Sequence, residues 1–195
     1  IKTDGSKQKY INAMERKNER MSLMIEKLLA TSSMTGSLAI NSQTVSINDY
    51  VRSIVEEYNA ENDGFDIRFS CGSITVKADI DLLHFRNAVM NLIDNAIKYS
   101  VNLPVVLVRC FMENNYVCIS VEDHGIGVPK EYMHYLFEKN FRVPEQKSLR
   151  KHGFGLGLNY VKIVARAHGG DVSAKSMYKK GSEFIIKIPM VKNKN

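Results

Sequence analysis

Asn91, Asn95, Lys98 and Tyr99 share the run Asn-Leu-Ile-Asp-Asn-Ala-Ile-Lys-Tyr, at spacings that place them on one side of a helix. Leu92, Ile93, Ala96 and Ile97 fill the other positions and can face a core. Two carboxamides, an ammonium and a phenol on one face suit a ligand that carries phosphates, a metal ion and a ring. Mg²⁺ prefers oxygen ligands, keeps several waters and shares substrate phosphates, so neutral asparagine oxygens are acceptable to it. Lys98 adds a point cation for phosphate. Read alone, the two asparagines are equally a helix surface, and Tyr99 equally a packing residue at the helix end.

Two glycine clusters downstream change the balance. In Asp123-His124-Gly125-Ile126-Gly127 a carboxylate ends an apolar run and enters a glycine turn. That carboxylate can accept a hydrogen bond from an exocyclic amine, while Gly125 and Gly127 let a flat ring approach the backbone. In Gly153-Phe154-Gly155-Leu156-Gly157-Leu158 the glycines precede a helical pattern. Free N–H groups at a helix start form an anion site. The dinucleotide fingerprint looks similar, but it should follow a strand within a βαβ unit, and here a long charged loop comes first. That loop carries Arg142, Lys147, Arg150, Lys151 and His152. Arg142 is the better candidate for phosphate; the distal cations read equally as a solvated loop.

In this order, the blocks resemble the nucleotide site of histidine kinases, within the wider group of gyrase, heat-shock and mismatch-repair ATPases. Asn91 to Tyr99 resembles the asparagine box and Asp123 to Gly127 the first glycine box, with Asp123 in the adenine-reading position. Leu136-Phe137-Glu138-Lys139-Asn140-Phe141-Arg142-Val143 resembles the phenylalanine box that opens an ATP lid. Gly153 to Leu158 resembles the second glycine box, and Gly181-Ser182 the weaker last one. The resemblance implies ATP and Mg²⁺ as ligands. ATP would be held by Asn91, Asn95, Lys98, Tyr99, Asp123, Gly125, Ile126, Gly127, Arg142, Gly153, Gly155, Leu156, Gly157, Leu158 and Ser182, and the metal by Asn95 with help from Asn91. It implies transfer of the γ-phosphoryl to a histidine and relay to an aspartate on a response regulator receiver domain. It also implies a cytoplasmic domain of a protein anchored in a bacterial inner membrane.

Two departures stand out. Phe154 occupies a position where the second glycine box commonly has a small hydroxyl residue, so only a backbone role survives there. The phosphoacceptor is the larger one: His84, His124, His134, His152 and His168 all lie outside the first segment, and each reads most simply as a packing, surface or lid histidine. Three rival functions compete with the kinase. The first is a hydrolase: in gyrase and mismatch-repair relatives a glutamate base stands where this chain has Asn91, and an amide takes no proton from water. Asp94 sits about 100° around the helix from Asn95, so it should point elsewhere. The second is a serine kinase of the anti-sigma type, against which the heptad helix speaks. The third is a non-catalytic nucleotide-binding module.

The elements that must position these residues follow from periodicity. With 195 residues, 44% hydrophobic and 25% charged, the chain is long enough for one full domain and an accessory element. It shows no membrane-spanning run and no signal peptide, and its start at Ile1-Lys2-Thr3 reads as part of something longer. The net charge of +6 comes from scattered lysines, two of them at Lys192 and Lys194, which speaks against a nucleic-acid partner. Cys71, Cys110 and Cys118 fit neither a zinc site nor a disulfide framework and read as reduced core residues.

Residues 1–35 read as a partial dimerisation helix: Ile11, Met14, Asn18, Met21, Ile25 and Leu28 make a heptad seam with a polar interruption at Asn18, although the same pattern fits a single amphipathic helix packed on its own domain. The seam suits a homodimer in the full-length protein, and it resembles the second helix of a kinase dimerisation and phosphotransfer hairpin. Residues 36–43 read as a linker, 44–191 as the catalytic and ATP-binding domain, and 192–195 as a basic tail. Within the domain a short strand from Thr44 and a helix capped by Asn48 are expected. Next should come strands at Phe65–Phe69 and Ile74–Lys77 joined by a turn at Gly72, and the motif helix Ile80–Tyr99. Hairpins over 105–122 and 171–189 flank a short helix after Pro129 and a helix over Leu156–Ala167. The expected fold class is α/β (α+β): a two-layer sandwich of a mixed sheet with helices on one face. The resemblance implies the Bergerat-type ATP-binding fold, preceded by a long heptad helix.

Overall fold

The computed structural model describes residues 38–61, 64–72, 75–144 and 155–191. The heptad seam, Gly153, Phe154, His152 and the distal loop cations Lys147, Arg150 and Lys151 lie outside the described residues. The element order is β1 (Gln43–Ser46), α1 (Ile47–Glu61), β2 (Asp66–Cys71), β3 (Lys77–Ile80), α2 (Leu82–Tyr99), β4 (Val105–Glu113), β5 (Tyr116–Asp123), a 3-10 turn (Lys130–Tyr135), α3 (Gly157–Ala167), β6 (Asp171–Met177) and β7 (Gly181–Pro189).

The main sheet has five strands in the order β2-β4-β5-β7-β6. Only the β2–β4 pair is parallel; the other three are antiparallel. The sheet is therefore mixed, as expected. Alternation along the strands decides which face is covered. Val106 and Val108 on β4, Val117, Ile119 and Val121 on β5, and Ile186 and Ile188 on β7 are buried in one cluster. Phe85, Ala88, Val89, Leu92, Ile93 and Ala96 of α2 join that cluster at helical spacing, as do Tyr160, Val161 and Val164 of α3. Each fully buried aliphatic or phenylalanine side chain contributes about 1.5–3 kcal/mol of transfer free energy. The opposite face carries polar ladders instead. Arg109 of β4 bridges Glu122 of β5 and Glu183 of β7 across it, and Lys187 pairs with Glu113. The helices thus sit on one face, which gives the two-layer sandwich.

Two local expectations are corrected. β2 and β3 are not partners: β3 begins at Lys77, pairs antiparallel with β1 in a separate two-stranded sheet, and leaves β2 to run parallel to β4. Non-local hydrophobic pairing outweighed the nearby glycine turn. Nor is Asn48 the cap of α1. It lies buried in the first turn, and the Asp49 N–H donates to Ser46 Oγ at 3.4 Å instead. The three cysteines are free, as expected; Cys110 and Cys118 are buried and Cys71 half-buried.

One buried network fastens α2 and α3 together. Asp81 caps α2, accepting from the His84 N–H at 3.0 Å and from the Asn41 N–H at 2.8 Å. Its own N–H donates to His168 Nε2 at 2.9 Å. His168 Nδ1 lies 2.7 Å from the Val164 carbonyl and must carry the proton, so Nε2 is left as the acceptor. His84 Nδ1 meets the Tyr160 hydroxyl at 2.8 Å. The stretch before β1, the start of α2 and the end of α3 therefore share one polar knot. Burial pushes the His168 pKa down, against the pull of the Val164 carbonyl and the Asp81 carboxylate, with the neighbouring His84 pushing it further down. Burial also pushes the Asp81 carboxyl up, but the two backbone N–H groups outweigh it and hold it below the usual range.

Both shifts cost stability on acidification. A histidine with a depressed folded pKa binds fewer protons than its unfolded form, so stability falls as pH drops below about 6.5. The Asp81 contribution is lost only further down, as pH falls from about 3.9 through the depressed folded value. His168→Gln keeps an acceptor for the Asp81 N–H but cannot titrate. In urea unfolding followed across pH, the wild type should lose stability relative to His168→Gln from about pH 6.5 downward. Parallel pH curves for the two proteins would refute the assignment.

Candidate functional site

The described candidate residues lie on α2, the first glycine loop, the start of α3 and the β6–β7 turn. α2 forms because its inner face is apolar and its start is capped, and Lys98 in its last turn complements the dipole. Asn91 is buried; its amide nitrogen donates to the Asn87 carbonyl at 2.8 Å, which turns Oδ1 the other way. What that oxygen faces is Gly157, the first residue of α3: a Cβ added there would stand 3.3 Å from Asn91 Oδ1 and 4.0 Å from the Asn95 amide nitrogen. The second glycine box thus opens its helix directly against the two asparagines. The α3 start has no side-chain cap, so its first N–H groups are free of any capping side chain. Leu156 is buried, and Leu158 packs on the core. Asp94 points away from this face, as expected: it accepts from the Tyr58 hydroxyl of α1 at 3.0 Å.

The other end of α2 meets the first glycine loop. The Ile126 N–H donates to the Tyr99 carbonyl at 3.1 Å. A Cβ on Gly125 would fall 2.4 Å from that same carbonyl oxygen. Gly127 has φ +63°, and a Cβ there would fall 2.1 Å from the Met177 carbonyl oxygen. Gly181, at φ +124°, approaches the Asp123 carbonyl oxygen to 2.0 Å by the same measure. These glycines permit a backbone crowding that no other residue allows. Asp123 sits inside it, 5% exposed. Its carboxylate accepts from the Gly125 N–H at 2.8 Å and from the Ser182 N–H, and burial pushes its pKa above the ordinary value despite both bonds. Asp123 and Ser182 face each other across β5 and β7.

Tyr99 and Lys98 are half-buried, with the Lys98 Nζ 5.3 Å from the Tyr99 ring centroid. Burial raises the Tyr99 pKa, and the Arg142 charge opposes that rise. Arg142 follows the phenylalanine box, which is braced on the domain. Phe137 meets Phe184 edge-on at 6.4 Å, and Asn159 of α3 donates to the Phe137 carbonyl at 3.0 Å. Asn140 takes φ +61°, and its N–H donates to the Gly155 carbonyl at 3.1 Å. Asn140 and Gly155, which stand on either side of residues 145–154, are thus bonded to each other.

From Asn91 to Tyr99, α2 spans ~12 Å. One end offers the Asn91 amide oxygen, a helix start and a glycine; the other offers a buried carboxylate, and there the space beside Gly125 and Gly127 is taken by the Tyr99 and Met177 carbonyls rather than left open to a flat ring. That polarity fits an elongated ligand with an anionic end and an amine-bearing ring. Two participants escape a reading of the sequence. His168 was legible only as a helix-end histidine, and Ser176 of β6 carried no signal at all, although its hydroxyl accepts from the Val128 N–H at 2.8 Å, one residue past the first glycine loop.

Comparison with known proteins agrees with this geometry. Residues 80–192 match the model of the family described as "Histidine kinase-, DNA gyrase B-, and HSP90-like ATPase". A curated relative, the signal transduction histidine-protein kinase ArlS of Staphylococcus aureus (strain USA300), is 29% identical over 174 residues, covering 89% of this chain and 39% of its own length. The chain therefore spans about two fifths of the curated relatives it matches. Among solved structures, the mycobacterial sensor histidine kinase MprB superposes with a TM-score of 0.65 at 24% identity, covering 77% of this chain and 98% of that one. Full-length ShkA in complex with AMPPNP gives a TM-score of 0.73 at 22% identity, covering 97% of this chain and 40% of that one. Both likenesses establish the fold.

If the buried carboxylate reads an exocyclic amine, adenine should be favoured over guanine, which presents an oxygen at that place. Loss of one hydrogen bond to a charged group costs about 1.5–3 kcal/mol. Calorimetric titration should therefore show ATP binding tighter than GTP, and Asp123→Ala weakening ATP by that amount. Equal affinities, or an unimpaired variant, would contradict the role given to Asp123.

Proposed function

The chain belongs to the histidine kinase-, DNA gyrase B- and HSP90-like ATPase family, and from that membership we propose that it is the ATP-binding catalytic domain of a sensor histidine kinase. The observation that carries this reading is the placement of the buried Asp123 beside the glycine loop that is bonded to the end of α2, with Gly157 at the start of α3 set against Asn91 of the same helix. ATP placed along α2 has the adenine amine at Asp123 and the phosphates toward Asn91, Asn95 and the start of α3. Lys98 and Arg142 supply positive charge along the way. The donor set also fits Mg²⁺, for which Asn95 and Asn91 offer neutral oxygens; bound there with the phosphates, the ion would neutralise charge as it builds on the leaving oxygens. What falls to the protein is positioning and charge neutralisation rather than covalent chemistry.

The γ-phosphoryl would pass to a histidine nitrogen and then to an aspartate of a response regulator receiver domain. The domain would work in the cytoplasm, as part of a homodimeric kinase held at the bacterial inner membrane. We take none of the four described histidines as the acceptor. His84 and His168 are committed to the knot around Asp81, while His124 and His134 are exposed on the first glycine loop and the 3-10 turn. The acceptor would be supplied by a separate helix. A gyrase-like hydrolase is the second reading, and the engagement of Asp94 by Tyr58 counts against it.

Incubation with radiolabelled ATP and Mg²⁺ tests the proposal. The chain alone should bind ATP, acquire no acid-labile label and release phosphate slowly. A dimerisation hairpin carrying an acceptor histidine, added in trans, should become labelled, and Asn95→Ala should lose the Mg²⁺ dependence of that labelling. Rapid phosphate release without labelling of the hairpin would favour the hydrolase instead.

A further inference from the structure

Ser176, Ser182 and Asp123 form one row across the sheet. Ser176 of β6 is the register partner of Ser182 of β7, and Ser182 is the register partner of Asp123 of β5. Ser176 Oγ is engaged three times: it lies 2.8 Å from the Val128 nitrogen, 2.9 Å from the Gly181 carbonyl oxygen and 2.9 Å from Ser182 Oγ.

A hydroxyl has one proton and two lone pairs. The Val128 N–H can only donate, so it takes one lone pair. The Gly181 carbonyl can only accept, so it takes the proton. What remains on Ser176 Oγ is a single lone pair, and the Ser182 contact is satisfied only if Ser182 donates to it. Ser182 therefore spends its proton on Ser176 and keeps only acceptor capacity on its own oxygen. Ser182 is 8% exposed and stands beside a carboxylate that is 5% exposed, so two acceptors and no side-chain donor meet at this end of the candidate site.

We propose that Ser176 is a specificity-determining positioning residue: by fixing the direction of the Ser182 hydroxyl, it leaves only acceptor side chains beside the 6-position of a bound purine, which favours an amine there and repels a carbonyl. The inference rests on the reading of the candidate site as a nucleotide site. It assigns to Ser176 no contact with the ligand. The residue acts through Ser182, and the Val128 bond ties the setting to the first glycine loop. Without Ser176, the Ser182 hydroxyl can rotate and donate, and the penalty against a purine carbonyl drops.

The test is a set of calorimetric titrations of the whole chain with ATP and GTP, using wild type, Ser176→Ala, Ser176→Thr, Ser182→Ala and the Ser176→Ala/Ser182→Ala double variant. Ser176→Ala should lower the ATP-to-GTP affinity ratio by about tenfold, the scale of one neutral hydrogen bond. Ser176→Thr keeps the hydroxyl and should restore the ratio. In the Ser182→Ala background, the Ser176→Ala change should leave the ratio unaltered, because no hydroxyl remains to be turned. A merely structural role would weaken both nucleotides alike, in either background, and would overturn the proposal. So would an unchanged ratio in Ser176→Ala with wild-type preference for ATP intact. A wild type that binds neither nucleotide would instead overturn the nucleotide reading itself.

Discussion

The site depends on how closely separate backbones approach Asp123. The end of α2, the β6–β7 turn and the first glycine loop converge there, and each contact passes through a glycine whose missing Cβ makes room. Gly127 and Gly181 also hold positive φ, a region that L side chains rarely adopt. Any side chain at these positions forces backbone apart from backbone, with no flexible neighbour to absorb the strain. The carboxylate is the beneficiary. Held by two N–H groups in a nearly closed pocket, it stays an acceptor in a fixed place.

The same crowding transmits the geometry along α2. The Ile126–Tyr99 bond locks the loop to the helix end, and the helix carries Asn91 and Asn95 to the start of α3. At the far side, the Asp81–His168 bond fastens the beginning of α2 to the end of α3. α2 is thus fastened at both ends, to the end of α3 at its start and to the first glycine loop at its finish. Asn41 joins this knot through Asp81. The chain leading into the domain is therefore bonded to the cap of the helix that lines the site, and movement of that segment would be felt first at the α2 N-terminus.

Much of this was legible in the sequence, and the reasons are physical. α2 and α3 show strong 3.6-residue periodicity with clear stop signals, and the 105–123 and 171–189 hairpins alternate around recognisable turns, Asn114 taking φ +56°. Glycines at fixed offsets marked places of close approach, but the sequence assigned Gly125 and Gly127 to a ligand ring, and the chain's own Tyr99 and Met177 carbonyls stand there instead. What escaped was set by contacts distant in sequence. The pairing of β3 with β1 rather than β2 depends on which sheet edge is free, which local turn residues cannot reveal. The cap of α1 moved from Asn48 to Ser46 because the apolar stripe buried Asn48. His168 and Ser176 gain their roles from partners 87 residues and 48 residues away, and no local pattern encodes such pairs. The loop cations Lys147, Arg150 and Lys151, Gly153 and the heptad seam lie outside the described residues, so their roles rest on sequence alone.

The most direct measurement of the central claim is a crystal structure of this chain with a non-hydrolysable ATP analogue and Mg²⁺. One nucleotide should lie along α2, its exocyclic amine on the Asp123 carboxylate and its phosphates against Asn91, Asn95 and the N–H groups that begin α3. A nucleotide bound elsewhere, or one lying along α2 with phosphates at Asp123 and the ring at Gly157, would contradict it.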